Sequence, residues 1–475
     1  MPVSPRFRPS TAHATLGPDF YDPVAPARFP MTREVWRDQA AAARMGLDSL
    51  TEAEWAAHFA RFEPLPGSHP QPLALRYHGH QFRVYNPDLG DGRGFLFAQA
   101  FDTIDGRLMD FGTKGSGQTP WSRTADGRLT LKGGVRELLA TNMLAAQGVT
   151  TSRTFALFET GEALVRGDEP SPTRSSVLTR LSHGHVRIGS FQRFAYLEEP
   201  ENIEKLARYS LATYYPALSA GESAASVMET LLDAVVSACA RLGAQWMAAG
   251  FVHGVLNSDN INITGESFDY GPWRWLPIYD PAFTAAYFDQ NGLYAYGRQP
   301  STLAWNLTRL AECFLGFCPE DRLTTILAEF QPRFERALVD EFFRRLGLQR
   351  TDDESADLGL VTSLYAFLYE ARCGFEQVFF DWYGGRLSAD RAAAGPLASV
   401  YEMHEFRPVR QRILDREPVA GIKLDHAYFK RPSPVTMLID EVEAIWAPIA
   451  ERDDWSLLHG KLADVAEMAE AYGAA

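Results

Sequence analysis

Lys114, Glu137, Asn260 and Asp269 are the residue types that a nucleotide triphosphate and its metal ion require. An amine neutralises phosphate oxygens, a carboxylate holds the amine, and two oxygen donors take a divalent cation. Lys114 closes a strand-like run, Arg107 to Thr113, and upstream of it lies LGDGRG with Gly90, Gly92 and Gly94. Glycines there allow backbone N–H groups to approach phosphate oxygens. Glu137 falls on the next helical pattern and can reach back to Lys114. Taken singly, a Lys and a Glu are ordinary surface charges. Their order in the chain is what gives them meaning.

Further on the chain reads HGVLNSDN, His253 to Asn260. Protein kinases carry H-R-D-x-x-x-x-N at this stage, the Asp as base and the Asn as metal ligand. Matching His253 to that His puts Asn260 on the Asn, but Val255 stands where the Asp would be. An apolar side chain cannot accept a proton, so ordinary kinase chemistry at that point is excluded. An acid does stand at Asp259, and Asp269-Tyr270-Gly271 takes the place of D-F-G. INITGESF between them is expected to form a tight hairpin that sets Asp269 opposite Asn260. Those two can share a cation, Mg²⁺ or Mn²⁺, bridging phosphate oxygens. An earlier D-F-G, Asp110-Phe111-Gly112, precedes Lys114 and cannot supply a late metal ligand.

Arginines gather near the glycines: Arg93, Arg123, Arg128, Arg180 and Arg187. Their planar forks suit phosphate oxygens, pointing to a triphosphate held deep in a pocket. His78/His80 and His183/His185 have the two-residue spacing of a strand metal site, but no third ligand presents itself, and packing or capping is expected.

The elements that would position these groups follow from pattern. Residues 1–70 read as an irregular extension with one helix at 50–62, introduced by a Thr51/Glu54 capping box. Strand-like runs occupy 95–98, 107–113, 154–158, 163–165 and 176–179, and a helix spans 131–147, ended by Gly148. Long helical patterns follow at 201–218, 222–249, 301–316, 321–346 and 358–383. The expectation is an α+β, protein-kinase-like two-lobed fold: an extension over 1–80, a β-rich lobe over 81–195, a helical lobe over 196–383 and a helical extension over 384–475.

The 475 residues carry 46 basic against 60 acidic side chains, a net charge of −14. That balance argues against a bulk nucleic-acid binder. With 46% hydrophobic and 22% charged residues the composition is that of a globular protein. Four scattered cysteines, Cys239, Cys313, Cys318 and Cys373, suit a reduced compartment, and a cytoplasmic location is expected. The apolar stretch 231–256 contains Asp233 and Arg241, so it reads as a buried helix and not a membrane span.

Together these motifs resemble the SelO (selenoprotein O, YdiU) family of pseudokinases. The matching text includes FYDPVAPARFP, LALRYHGHQF, PDLGDGRG, KGSGQTPWSRTADGR, LTRLSHGHVRIGSF, HGVLNSDNINITGESFDYGP and YAYGRQPSTLAWNLTRLAE, within residues 17–315. The resemblance implies a kinase-like fold that binds ATP in a flipped orientation and transfers AMP to Ser, Thr or Tyr hydroxyls of proteins, releasing pyrophosphate. By the same resemblance Gly90, Gly92, Arg93, Lys114, Asp126, Gly127, Arg180, Arg187 and Asp269 contact the nucleotide. Asp259 is the proton acceptor, Asn260 and Asp269 hold the metal, and Glu137 partners the lysine. The chain departs from the family in having Gly133-Gly134 where SS is usual, and the last hundred or so residues match poorly. Ala285 stands where bacterial members tend to have a cysteine that pairs near the C-terminus, so that redox bridge is not expected. Two alternatives stay open: conventional phosphotransfer, which Val255 opposes, and a non-catalytic ATP-binding scaffold, which the retained Asp259, Asn260 and Asp269 oppose.

Overall fold

Strands buried along most of their length build the first half. In the computed structural model, which describes residues 3–167 and 169–473, Gly79–Gln81 pairs with Val84–Asn86 in a separate hairpin, and most of the strands form one antiparallel sheet. Its main path runs Tyr21–Pro23, Leu73–Leu75, Leu96–Phe101, Leu108–Lys114, Thr173–Ser182, Arg153–Leu164, Arg33–Arg37, with Pro9–Ser10 and Leu129–Thr130 paired off that path. Alternation sends neighbouring side chains to opposite faces. The facing pair Leu157 and Leu178 packs against the helix Leu131–Ala146, whereas Phe158 and Val177 join Trp55, Phe59, Phe97, Phe111 and Phe155 on the other face. The helices Gln39–Met45 and Glu52–Phe59 cover that aromatic face, and the Thr51/Glu54 capping box forms as expected.

The first 70 residues are therefore not irregular. They contribute strands that pair with partners far along the chain, Arg33–Arg37 with Arg153–Leu164 and Pro9–Ser10 with Leu96–Phe101. The runs at 154–158 and 163–165 merge into one strand with shifts in register between Glu159 and Ala163.

The helix Leu131–Ala146 begins with the Thr130 hydroxyl accepting from the Gly133 amide at 3.1 Å. A Cβ on Gly134 would lie 2.6 Å from Leu157 and 2.7 Å from the Ser176 hydroxyl, so glycine lets this helix sit close on the sheet. The second half is helical and packs around the buried helix Ala224–Ala249. The helix expected over 321–346 divides into Glu320–Ala328 and Phe330–Leu346. Pro332 lacks an N–H and is tolerated only in a first turn, so a new helix starts just before it. The pattern over 358–383 divides likewise into Glu354–Ala371 and Phe375–Trp382, where Arg372 takes a left-handed conformation. The helix Ser456–Tyr472 returns to pack on Leu131–Ala146. Among the described residues no helix is long and apolar enough to cross a membrane.

Candidate functional site

A cavity of about 370 Å³ opens where the glycine-rich segment folds over the end of the Leu108–Lys114 strand. The glycines are there for close approach. A Cβ on Gly90 would enter the Trp121 ring, and one on Gly94 would lie 2.1 Å from the Thr113 carbonyl oxygen. The Gly115 amide donates to the Arg93 carbonyl at 2.6 Å, locking the segment to the strand.

Sheet register puts the charges together. Lys114 lies opposite Leu178, and Arg180 opposite Gly112, so both side chains share the face covered by the helix Leu131–Ala146. Glu137 on that helix meets Lys114 Nζ at 2.8 Å and Arg180 Nε at 3.4 Å. Asp269 Oδ1 is 3.0 Å from Lys114 Nζ and 3.3 Å from Arg180 Nη2. Two cations and two anions thus alternate around the cavity floor. Glu137 and Lys114 are almost fully buried, whereas Asp269 is about one-third exposed to the cavity. Burial pushes the Asp269 carboxyl upward, but Lys114, Arg180, Arg93 and Arg187 together hold it well below the usual carboxylate range. Its backbone is left-handed at φ 62°, an uncommon state for a residue with a side chain.

Arg187 is buried against the Tyr77 ring, 4.1 Å from its centroid, and meets Asp91 Oδ1 at 3.1 Å. Arg93 and Arg123 also line the cavity, and among the described residues neither pairs with a carboxylate. The cavity is therefore strongly cationic inside an acidic protein, the electrostatic form of a polyphosphate site.

The late segment lies alongside. Asn260 Nδ2 donates to the Val255 carbonyl at 3.1 Å, which leaves its amide oxygen available to a cation. Asp259 Oδ1 is buried with no hydrogen-bond partner among the described residues. Burial pushes the Asp259 carboxyl up to about 7; Asp269 adds to the rise, while a backbone hydrogen bond, Arg187 and Arg123 oppose it. Among the described residues no cluster of three or more His, Cys, Asp or Glu side chains surrounds a metal position, at the histidine pairs or elsewhere. Asn260 and Asp269 are hard oxygen donors, and Mg²⁺ is commonly held by one or two protein groups together with phosphates and water. The donor set fits that ion.

The expected hairpin at 261–268 does not pair with itself. Asn262 bridges to Arg187 and Ser267 to Thr151, because a turn at Ile263–Thr264 splays the arms toward different neighbours. Asn262 fixes the backbone of Arg187, and the segment returns with Asp269 at the cavity.

Of the residues singled out by sequence, Gly90, Gly92, Arg93, Lys114, Arg180, Arg187 and Asp269 line the cavity. Glu137 lies behind them, paired with Lys114, whereas Asp259 and Asn260 are not among the lining residues, although Asp259 feels the charges of Arg187, Arg123 and Asp269. Asp126 is held by Arg166 at 2.9 and 3.0 Å and does not line the cavity. Gly127, at φ 68°, turns the chain against Gly117 instead. Arg128 points to Glu162. The D-F-G at 110–112 is structural: Asp110 is buried, accepts from Gln99 at 2.7 Å and lies 3.4 Å from His185. Gly112 leaves the room that the His185 ring occupies. Tyr77, Asp91, Trp121 and His185 line the cavity without having been singled out as nucleotide contacts; Asp91 stood in plain view between Gly90 and Gly92.

Comparison with known proteins places this geometry in a lineage. The family described as protein adenylyltransferase SelO matches residues 6–466, well past the span 17–315 that the motifs covered, and it takes in most of the C-terminal segment. A protein nucleotidyltransferase YdiU of Synechocystis is 40% identical over 453 residues, covering 93% of this chain and 94% of that one. Proteins of the same name from Gloeobacter violaceus and Myxococcus xanthus are 43% and 34% identical, each over more than nine-tenths of both chains. The chain belongs to the SelO family of protein adenylyltransferases.

Proposed function

We propose that the protein transfers AMP from ATP to Ser, Thr or Tyr hydroxyls of other proteins, within a two-lobed kinase-like frame. The sheet half with its Glu137 helix is read as one lobe and the helical half as the other. The observation that carries the reading is the alternating network of Lys114, Glu137, Arg180 and Asp269, set in one cavity with Arg93, Arg123 and Arg187.

So many cations at the deep end favour the β- and γ-phosphates there, with the nucleotide turned so that the α-phosphorus faces the late segment. Mg²⁺ or Mn²⁺, held by Asn260 and Asp269, would neutralise charge developing on the phosphate oxygens. A hydroxyl oxygen bonds to the α-phosphorus while the bond to the bridging oxygen breaks and pyrophosphate leaves. Asp259 accepts the hydroxyl proton, a task suited to a carboxylate whose proton affinity lies near neutrality. Val255 removes the alternative base that phosphotransfer would use. Co-product analysis tests the reading: one pyrophosphate per modified protein is expected, whereas ADP as co-product would overturn it.

A further inference from the structure

We propose that the hairpin tip at 82–84 and the loop Pro281–Arg298 form the docking surface for the protein substrate. The segment it fits is an extended, hydroxyl-bearing one with a large apolar side chain beside the hydroxyl and a carboxylate nearby. This rests on the transfer reading above, which brings a protein hydroxyl to Asp259.

The hairpin Gly79–Gln81/Val84–Asn86 turns through Phe82 and Arg83, both left-handed at φ 50° and 64°. Two successive side-chain-bearing residues rarely adopt that conformation. Its effect is to present Phe82, Arg83 and Val84 to solvent, the last 69% exposed. The hairpin stem is fastened beside the proposed base. The His80 amide donates to Ser258 Oγ at 2.7 Å, and a Cβ on Gly79 would sit 3.0 Å from Asp259 Oδ1.

Opposite the tip, the loop encloses a second cavity of about 640 Å³ and holds Tyr287 and Phe288 in the open, Tyr287 at 81% exposure. The Phe82 ring is 5.9 Å from Phe288, making one aromatic surface across both segments, and rests 5.0 Å from the ring of the buried Tyr294. Asn257 ties them together: its Oδ1 accepts from the Phe82 amide at 3.1 Å and the Tyr294 hydroxyl at 2.6 Å, two residues before Asp259. The loop is preset for binding, since Asp289 accepts from the Leu293 and Tyr294 amides at 2.8 Å.

Charge specifies the occupant further. Arg83 and Arg298 are exposed here, and among the described residues neither pairs with a carboxylate. Arg83 stacks on Trp305, and Arg298 donates to the Asn291 and Gly292 carbonyls. On a chain of net charge −14, two cations without carboxylate partners beside exposed aromatics complement an acidic, apolar peptide.

The test is direct binding of fluorescent peptides to the full chain, read by anisotropy. A central Ser is flanked by Phe and Asp, or by Ala and Asp, or by Phe and Lys. The Phe/Asp peptide is expected to bind about tenfold more tightly than either other. The exposed double substitution Tyr287→Ser/Phe288→Ser should erase the Phe preference, and Arg83→Glu should turn the Asp preference toward Lys. Equal or absent binding across the set, or preferences unchanged in both variants, would overturn the docking surface. Binding is read without chemistry, so failure of AMP transfer would count against the proposed function and leave this result standing. Transfer without peptide discrimination would overturn the surface alone.

Discussion

The Lys114 ammonium lies between two carboxylates, 2.8 Å from Glu137 and 3.0 Å from Asp269. It thereby joins the sheet, its covering helix and the late segment that returns to the cavity. Removing one member of a buried ion pair leaves the other uncompensated, at about 3–5 kcal/mol. Lys114→Met should lower stability to urea by that order and weaken Mg-ATP binding in calorimetry at least about tenfold. Lys114→Met/Glu137→Gln should lose less stability than the two single changes summed, because no charged Glu137 is then left to Arg180 alone at 3.4 Å. Strict additivity would show that the pair is not coupled.

The roles proposed for Asp259 as base and Asp269 as metal ligand can be tested separately. Asp259→Asn should slow transfer by roughly 10²–10⁴-fold with Mg-ATP affinity kept. Asp269→Ala should abolish the metal-dependent part of nucleotide binding. Wild-type transfer in the first variant, or wild-type calorimetry in the second, would reject the corresponding role.

Glu266 carries a pH dependence. It is buried, accepts from the His183 amide at 2.8 Å, and burial pushes its carboxyl up to about 7, aided by Asp110 and opposed by that amide and Arg107. In the unfolded chain the same group ionises near its ordinary value of 4.5. The fold keeps the proton where the unfolded chain has lost it, so this contribution to stability falls as pH rises from about 4.5 to about 7 and is level above. Glu266→Gln should remove that loss. Its stability relative to wild type should rise across the window, by on the order of 3 kcal/mol in urea unfolding. A difference that does not vary with pH would contradict the assignment.

What the sequence made legible was local in kind. The Thr51/Glu54 capping box and the helix carrying Glu137 follow from short-range spacing, and so does the glycine segment beside Lys114. The strands of two to five residues before Leu73 carry no periodicity and gain meaning only from partners such as Arg153–Leu164, so they read as irregular. Helix breaks at Glu329 and Arg372 were hidden because the apolar pattern continues through them. Tyr77 and His185 reach the cavity through tertiary approach, Tyr77 under Arg187 and His185 over Gly112, which no spacing in the chain announces. The turn that splays 261–268 is of the same kind, since its arms bridge to Arg187 and Thr151.

The central claim is that the α-phosphorus, and not the γ-phosphorus, meets the incoming hydroxyl. Incubating the protein and a protein acceptor with Mg-ATP labelled on one phosphate or the other reads this directly. Label should enter protein from the α-position alone. Label entering from the γ-position alone would mean phosphotransfer, and label from neither would mean a nucleotide-binding scaffold; each result contradicts the account.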